Sequence, residues 1–129
     1  MTKYKVQSDI MEQDLKQRHK AFAIRIVKMV DSMPQTISSM AIARQIIRSG
    51  TSPSANYRAA CIAKSEKDFL NKLKMVEEEL DETLHWLMLI EECGILPSER
   101  MQDIMNECTE LLKITVKSIT STRKIINNE

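Results

Sequence analysis

Apolar and small residues recur in alternating steps of four and three positions along two long stretches of the chain. The first stretch carries Phe69, Leu73, Val76, Leu80, Thr83, Leu87 and Ile90. The second carries Met101, Met105, Cys108, Leu112, Thr115, Ile119, Thr122 and Ile126. Because such steps place side chains on one face of an α-helix, each stretch predicts a long helix that packs against its neighbours at a shallow angle.

The ends of these two helices are marked by residues that favour helix termini. Ser65 precedes the first helix as an N-cap, and Gly94 follows it as the expected left-handed C-terminal residue. Pro97 opens the second helix, where its missing N–H costs nothing. We therefore predict helices over about 66–94 and 98–126.

Two further helices are predicted in the first half of the chain. Asp9 followed by Glu12 resembles a capping box, and Pro34 ends the segment, which predicts a helix over about 9–31. Its apolar stripe consists of Leu15, Phe22, Ile26, Met29 and Met33. The next helix is predicted over about 35–64, with the apolar set Ile37, Met40, Ala41, Ile47, Ala55, Ala59 and Ile62.

Pro53 interrupts this second helix, in the segment Ser49-Gly50-Thr51-Ser52-Pro53. A proline removes a backbone donor and crowds the preceding turn, so the helix must kink or break there. We interpret the segment as one kinked helix. We expect Asn56, just after the proline, to satisfy backbone groups freed at the kink.

The short connections between the four predicted helices require neighbouring helices to be antiparallel. Only two glycines and three prolines occur in 129 residues, so the chain has few turns. The sequence thus predicts one all-α domain over residues 1–129, an antiparallel up-down-up-down four-helix bundle with a kinked second helix. Its apolar surface exceeds what one core needs, which suggests that part of it forms a subunit interface.

The cysteines and the apolar runs bear on the cellular compartment. Cys61, Cys93 and Cys108 are odd in number and show no CxxC spacing, which favours reduced thiols over a disulfide framework or a zinc site. Residues 1–20 are polar and charged, unlike a signal peptide. The longest strongly apolar run, Trp86 to Ile90, is too short to span a bilayer. We expect a cytoplasmic protein that does not enter a membrane.

Charge is unevenly distributed although the net charge is only +1. Residues 65–96 carry three lysines and nine acids. Residues 35–64 carry no acid and four cations: Arg44, Arg48, Arg58 and Lys64. These cations are candidates for contacting RNA or DNA phosphates. The alternative, which we favour, is that they pair with the acidic third helix.

The middle of the chain resembles a known family, the four-helix-bundle proteins encoded in 23S rRNA intervening sequences. The resemblance covers about residues 20–96 closely and the rest in helix pattern. It rests on Arg48-Ser49-Gly50-Thr51-Ser52-Pro53-Ser54-Ala55-Asn56-Tyr57, Ser65-Glu66-Lys67-Asp68-Phe69, Lys72-Leu73, Glu78, Glu82-Thr83 and Trp86-Leu87. Many members carry an aliphatic residue and a glycine where this chain has Pro53-Ser54.

This resemblance implies a compact bundle that assembles into a ring-like homo-oligomer, most often a pentamer. It implies no established enzymatic activity and no cofactor. A distant branch with the same fold, the accessory variability determinant of diversity-generating retroelements, binds nucleic acid and a reverse transcriptase. That branch is strongly basic, whereas this chain is nearly neutral, so the analogy extends to the fold alone.

Catalytic and metal chemistry find little support in the sequence. Glu82 and His85 have the Glu-x-x-His spacing of di-iron bundles, but the other histidine, His19, has Lys16 where a second pair needs a carboxylate. The three cysteines are expected to lie near the apolar stripes as inert thiols. Trp86 is expected to anchor the core or an interface. We therefore predict no enzyme, no metal and no cofactor.

Two hypotheses for function remain. The first is a non-enzymatic, self-associating scaffold or adaptor. The second is an RNA- or DNA-binding accessory protein that acts through Arg44, Arg48, Arg58 and Lys64.

Overall fold

The computed structural model describes the backbone of residues 3–128 and the side chains of residues 11–128. It contains four helices: α1 (Lys3–Asp31), α2 (Ile37–Cys61), α3 (Glu66–Glu92) and α4 (Ser98–Asn127). Consecutive helices pack side by side, and α4 returns to α1. Within the described chain the diagonal pairs, α1 with α3 and α2 with α4, make no close backbone contact. The predicted all-α four-helix bundle is confirmed.

Three helix ends follow local capping chemistry. Thr36 Oγ1 accepts a hydrogen bond from the Ser39 N–H at the start of α2, and Ser65 Oγ accepts one from the Asp68 N–H at the start of α3. Gly94 follows α3 with a φ of 67°, and the next N–H donates back to the Ile90 carbonyl. The left-handed conformation predicted for this glycine is therefore confirmed.

The predicted start of the first helix is wrong. α1 begins at Lys3, so Asp9 lies within the helix and not at its N-terminus. The Asp9 side chain itself lies outside the described residues. The capping-box pattern misled because the spacing Asp-x-x-Glu also arises inside amphipathic helices, where both acids face water.

Helix α2 runs without a break through Pro53. Two hydroxyls support the turn before the proline: Thr51 Oγ1 donates to the Ile47 carbonyl at 2.6 Å, and Ser52 Oγ donates to the Arg48 carbonyl at 2.8 Å. Such back-bonding hydroxyls often bend a helix. The hydroxyls of Thr51 and Ser52 were not predicted for this role, which the sequence pattern favoured for Asn56.

The core-facing side of α2 differs from the predicted apolar set. Ile37 is 92% exposed and Ile62 is 78% exposed. The buried residues of this helix are instead Ser39, Ile46, Ser49, Gly50, Pro53, Tyr57 and Ala60. The apolar pattern failed here because most residues on the buried face are small or hydroxylated, which allows the neighbouring helices to come close.

The stripes of α3 and α4 match the prediction more closely. Leu73, Val76, Leu80, Thr83, Leu87 and Ile90 are all buried in α3. In α4 the buried side includes Ile104 and Leu111, while the predicted Met105 and Leu112 are only partly buried. The error in α4 is a small rotation of the face, because apolar residues flank the seam on both sides.

Helices α1 and α2 pack tightly at Gly50. A Cβ atom placed on this residue would lie 2.8 Å from both Cγ atoms of Ile26, which is fully buried. At the preceding residue, Ser49 Oγ lies 3.0 Å from Thr83 Oγ1 of α3, and the Thr83 hydroxyl donates to the Glu79 carbonyl. Small side chains at 49 and 50 thus let α2 contact both of its neighbours.

We expect Gly50→Ala to destabilise the protein, although alanine favours helices over glycine by about 1 kcal/mol. The new methyl group overpacks against Ile26, which typically costs about 1–3 kcal/mol. Chemical denaturation monitored by circular dichroism should show a net loss of about 1 kcal/mol.

A matched double variant tests the cause of that loss. In Ile26→Ala/Gly50→Ala the added methyl group fills part of the space left by Ile26. The double variant should therefore lose less free energy of unfolding than the two single variants lose in total. Additive effects would show that the contact between α1 and α2 at this point is not tight.

Candidate functional site

The four basic residues predicted as a phosphate-binding set are all exposed, but they do not form one cluster. Arg48 is engaged across the α2–α3 boundary: Nη1 lies 3.1 Å from a Glu79 carboxylate oxygen, and Nη2 pairs with Glu82. Both carboxylates contribute to raising the pKa of the guanidinium, Glu82 most strongly. Charge pairing between the second and third helices, the interpretation favoured from the sequence, is therefore observed at Arg48.

Trp86 completes this exposed network. Its Nε1 donates to a Glu82 oxygen at 3.1 Å, and this hydrogen bond, followed by the one from Arg48, lowers the pKa of Glu82. The indole is partly buried against the core, and its ring meets the His85 ring edge-on. Trp86 is thus an anchor for α3, as predicted, and its polar edge is already satisfied.

Arg58 lies in a groove between α1 and α2 of about 230 Å³. The groove is lined by Gln13, Lys16, Gln17, Lys20, Ser54 and Arg58. Each of these six side chains can donate a hydrogen bond, and no carboxylate of residues 11–128 lines the groove. Arg44 lies fourteen residues before Arg58 and so shares its side of α2, whereas Lys64 lines a separate cavity at the end of the bundle with Glu12 and Glu66.

Residues 15–30 of α1 provide most of this positive charge. They carry five cations and no acid: Lys16, Arg18, Lys20, Arg25 and Lys28. Among ion pairs between described side chains, Arg18 is the one of these five cations with a partner: it donates to both Glu107 oxygens, with Nη2 at 2.7 Å. These residues were not predicted as site residues, because the charge asymmetry that pointed to a site was that between the second and third helices. The same count applied to the first helix would have found them.

The groove continues into an apolar region on the same side of the molecule. Ile24 and Val27 follow Lys20 by four and seven residues on α1, and Met40 precedes Ser54 by fourteen on α2; all three apolar side chains are exposed. We call this surface the basic face. It consists of Gln13, Lys16, Gln17, Lys20, Ile24, Val27, Met40, Ser54 and Arg58.

A second groove, between α3 and α4, has the opposite charge. It measures about 300 Å³ and combines the carboxylates of Glu77, Glu78 and Asp81 with Leu112 and the exposed Val116. Met88 follows Asp81 by seven residues and is also exposed. We call this surface the acidic face: Glu77, Glu78, Asp81, Met88, Leu112 and Val116. Because α1 and α2 pair on one side of the bundle and α3 and α4 on the other, the two faces lie on opposite sides.

Cys61 and Cys108 lack the features of activated nucleophiles. Cys108 is fully buried, and burial raises its pKa to about 12. Burial also raises the pKa of Cys61, so both thiols are protonated at neutral pH. Cys93 is exposed at the end of α3, which corrects the expectation that all three cysteines lie near the apolar stripes. Among the described residues, no three His, Cys, Asp or Glu side chains form a metal ligand set.

His19 is buried in the core, although the sequence did not predict this. The side chain is only 2% exposed and stacks on Tyr57 with ring centroids 4.8 Å apart. Within the described residues Nδ1 has no hydrogen-bond partner. Burial, and next the charge of Arg18, lowers the pKa of His19 to about 4, so the imidazole is neutral in the folded protein.

The fold and its surfaces define the chain as an all-α four-helix bundle distinguished by two oppositely charged outer faces. The 23S rRNA-intervening sequence protein family matches residues 11–117, and the chain belongs to this family. The resemblance predicted from the residues around Pro53 and Trp86 is therefore confirmed.

A solved structure shows the same relationship. The crystal structure of a protein with unknown function from the S23 ribosomal protein family of Bacteroides thetaiotaomicron VPI-5482 is similar, with 34% sequence identity and a TM-score of 0.78. The match covers 84% of this chain and 97% of that one. No curated protein matches the chain. Of the helices described here, none is both long and apolar enough to cross a membrane.

We expect the stability of the protein to fall as the pH drops below 6.5. The unfolded chain binds a proton on His19 near pH 6.5, whereas the folded protein resists binding it until about pH 4. Protons therefore favour the unfolded state throughout this interval, at a total cost of about 3 kcal/mol by pH 4.

Denaturation curves of the wild type and of His19→Phe between pH 7 and pH 4 isolate this contribution, because phenylalanine preserves an aromatic ring against Tyr57 but does not titrate. The carboxylates titrate in both proteins, and their effect cancels in the difference. Equal pH dependence of the two proteins would show that His19 is readily protonated in the fold.

Proposed function

We propose that this chain is a non-enzymatic scaffold that assembles with copies of itself, the basic face of one copy packing on the acidic face of the next. The observation that supports the proposal is the placement of complementary charge, together with exposed apolar side chains, on opposite sides of one bundle. Opposite potentials steer two copies into register, and the apolar residues contribute free energy once water is displaced.

This contact joins two different surfaces, so it is heterologous. A heterologous contact that repeats with a constant rotation closes into a ring or continues as a filament. The family resemblance favours a ring of five copies. We further propose that assembly takes place in the cytoplasm, where the three cysteines, none of which pairs with another, stay reduced.

We expect two charge-neutralised variants, Lys16→Gln/Lys20→Gln and Glu77→Gln/Glu78→Gln, to be monomeric or markedly less associated when each is studied alone. Each variant keeps one intact face, so an equimolar mixture should form a one-to-one dimer and nothing larger. Light scattering coupled to size-exclusion chromatography at low salt measures the masses.

The matched control is Lys117→Gln/Lys124→Gln, which removes two exposed lysines of α4 outside both faces and should leave the oligomer intact. A wild-type protein that is monomeric at micromolar concentration would overturn the proposal. So would a pair of face variants that keep the wild-type mass, since the faces would then not be in contact.

A second candidate function, binding RNA or DNA, is favoured by the chemistry of the groove around Arg58. Phosphate oxygens accept hydrogen bonds, and every side chain that is seen to line this groove can donate one. In this proposal Arg44 and Arg58 contribute from α2, and Lys16 and Lys20 contribute from α1. Arg48 contributes less because Glu79 and Glu82 already share its guanidinium, and Lys64 acts at the end of the bundle.

If this second function is correct, a fluorescent single-stranded RNA should bind the wild type with an affinity that falls steeply between about 50 and 200 mM salt. Arg44→Gln/Arg58→Gln should weaken binding and reduce the salt slope by about two. Arg48→Gln, the control at an arginine that is already paired with carboxylates, should weaken binding much less. No binding at low salt, or equal loss in the control, would exclude this use of the groove.

A further inference from the structure

A small cleft separates α1 from α4, the pair of neighbouring helices in least contact. It measures about 190 Å³ and is lined by Arg25, Lys28, Met29, Arg100 and Ile104. Met29 and Ile104 are buried and form an apolar floor, while the three cations surround the opening. Three exposed, positively charged side chains therefore line one small space with an apolar floor.

The guanidinium of Arg100 is held in place before any ligand arrives. Its Nη2 donates to Ser32 Oγ at 2.6 Å, and Ser32 Oγ in turn donates to the Met29 carbonyl at 2.7 Å. This chain of hydrogen bonds ties the first turn of α4 to the end of α1. A side chain that is already ordered loses less conformational entropy when it binds a ligand.

The electrostatic surroundings of the cleft favour an anion. No carboxylate lines it, although Asp31 and Asp103 each lie three residues from one of its cations along the chain. Arg100 also belongs to the first turn of α4, where the helix dipole adds positive potential. The apolar floor strengthens the interaction of the cations with a bound anion, because it excludes water from one side.

We propose that this cleft binds a small, multiply charged phosphate anion, such as a phosphate monoester or pyrophosphate. Two guanidinium groups and one ammonium group supply many hydrogen-bond donors for phosphate oxygens, and their three positive charges balance those of such an anion. The volume of about 190 Å³ admits one or two phosphate groups with little else. A phosphodiester within a nucleic acid carries one charge and demands an extended track, which the cleft does not provide.

The cleft is independent of the surfaces used in the proposed function. Arg25 and Lys28 line the side of α1 that faces α4, whereas Lys16 and Lys20 line the side that faces α2. Ligand binding in this cleft is therefore compatible with assembly through the basic and acidic faces. If the cleft binds no phosphate, the assembly proposal is unaffected.

Titration calorimetry with inorganic pyrophosphate at constant ionic strength tests the proposal. We expect saturable binding of one pyrophosphate per chain. Arg25→Gln/Lys28→Gln should weaken this binding about tenfold or more, because it removes two charge-assisted contacts. The matched control, Lys16→Gln/Lys20→Gln, removes the same charge from the basic face and should bind like the wild type.

A second variant tests the cleft without removing any of its residues. Asp103→Asn eliminates a neighbouring negative charge and should tighten pyrophosphate binding, with circular dichroism confirming that the fold is intact. Affinity unchanged in both the cleft variant and Asp103→Asn would overturn the proposal. The proposal would also be overturned if titration with sodium chloride at the same ionic strength released the same heat as titration with pyrophosphate.

Competition identifies the type of phosphate. A mononucleotide with a terminal phosphate should displace pyrophosphate, whereas a short RNA without terminal phosphates should not. If the RNA displaces pyrophosphate and the mononucleotide does not, the cleft is not a site for small phosphate anions. It would then belong to a nucleic-acid-binding surface.

Discussion

The close packing of α1 against α2 at Gly50 and Ile26 is the constraint on which the rest of the bundle depends. With no side chain at position 50, the two helices approach until the isoleucine fills the space between them. This approach sets the distance from α2 to α1 and leaves Ser49 to contact Thr83 on α3. The outer groove that carries Lys16, Lys20 and Arg58 exists because the same two helices run side by side at this short separation.

The sequence predicted the fold well where burial and hydrophobicity coincide, and poorly where they do not. In α3 the buried positions from Leu73 to Ile90 are almost all large and apolar, so the period was unmistakable. In α2 the buried positions include Ser39, Ser49 and Gly50, whose burial depends on neighbouring helices and leaves no hydrophobic signal. The apolar pattern therefore placed the exposed Ile37 in the core, so the predicted buried face of α2 is rotated about the helix axis relative to the observed one.

The candidate site was predictable only in part, for a related reason. Pairing between the basic second helix and the acidic third helix follows from their adjacency, and Arg48 fulfils it. The groove around Arg58 requires knowing which residues of α1 meet α2, and the cleft around Arg100 requires knowing how α4 closes on α1. Which residues contact one another across two helices depends on the register of those helices in three dimensions. The periodicity of apolar residues along the sequence does not specify that register.

The hydroxyl pair between Ser49 and Thr83 has a consequence for uniqueness of the fold. Long helices with continuous apolar faces can shift by a whole turn relative to one another at a modest cost in free energy, because one apolar side chain takes the place of another in the interface. Here, such a slip would separate Ser49 from Thr83 and lose the hydrogen bond between the two hydroxyls, at a cost of about 1 kcal/mol. The Ser49–Thr83 hydrogen bond therefore favours one register of α2 against α3 over registers that bury similar apolar surface.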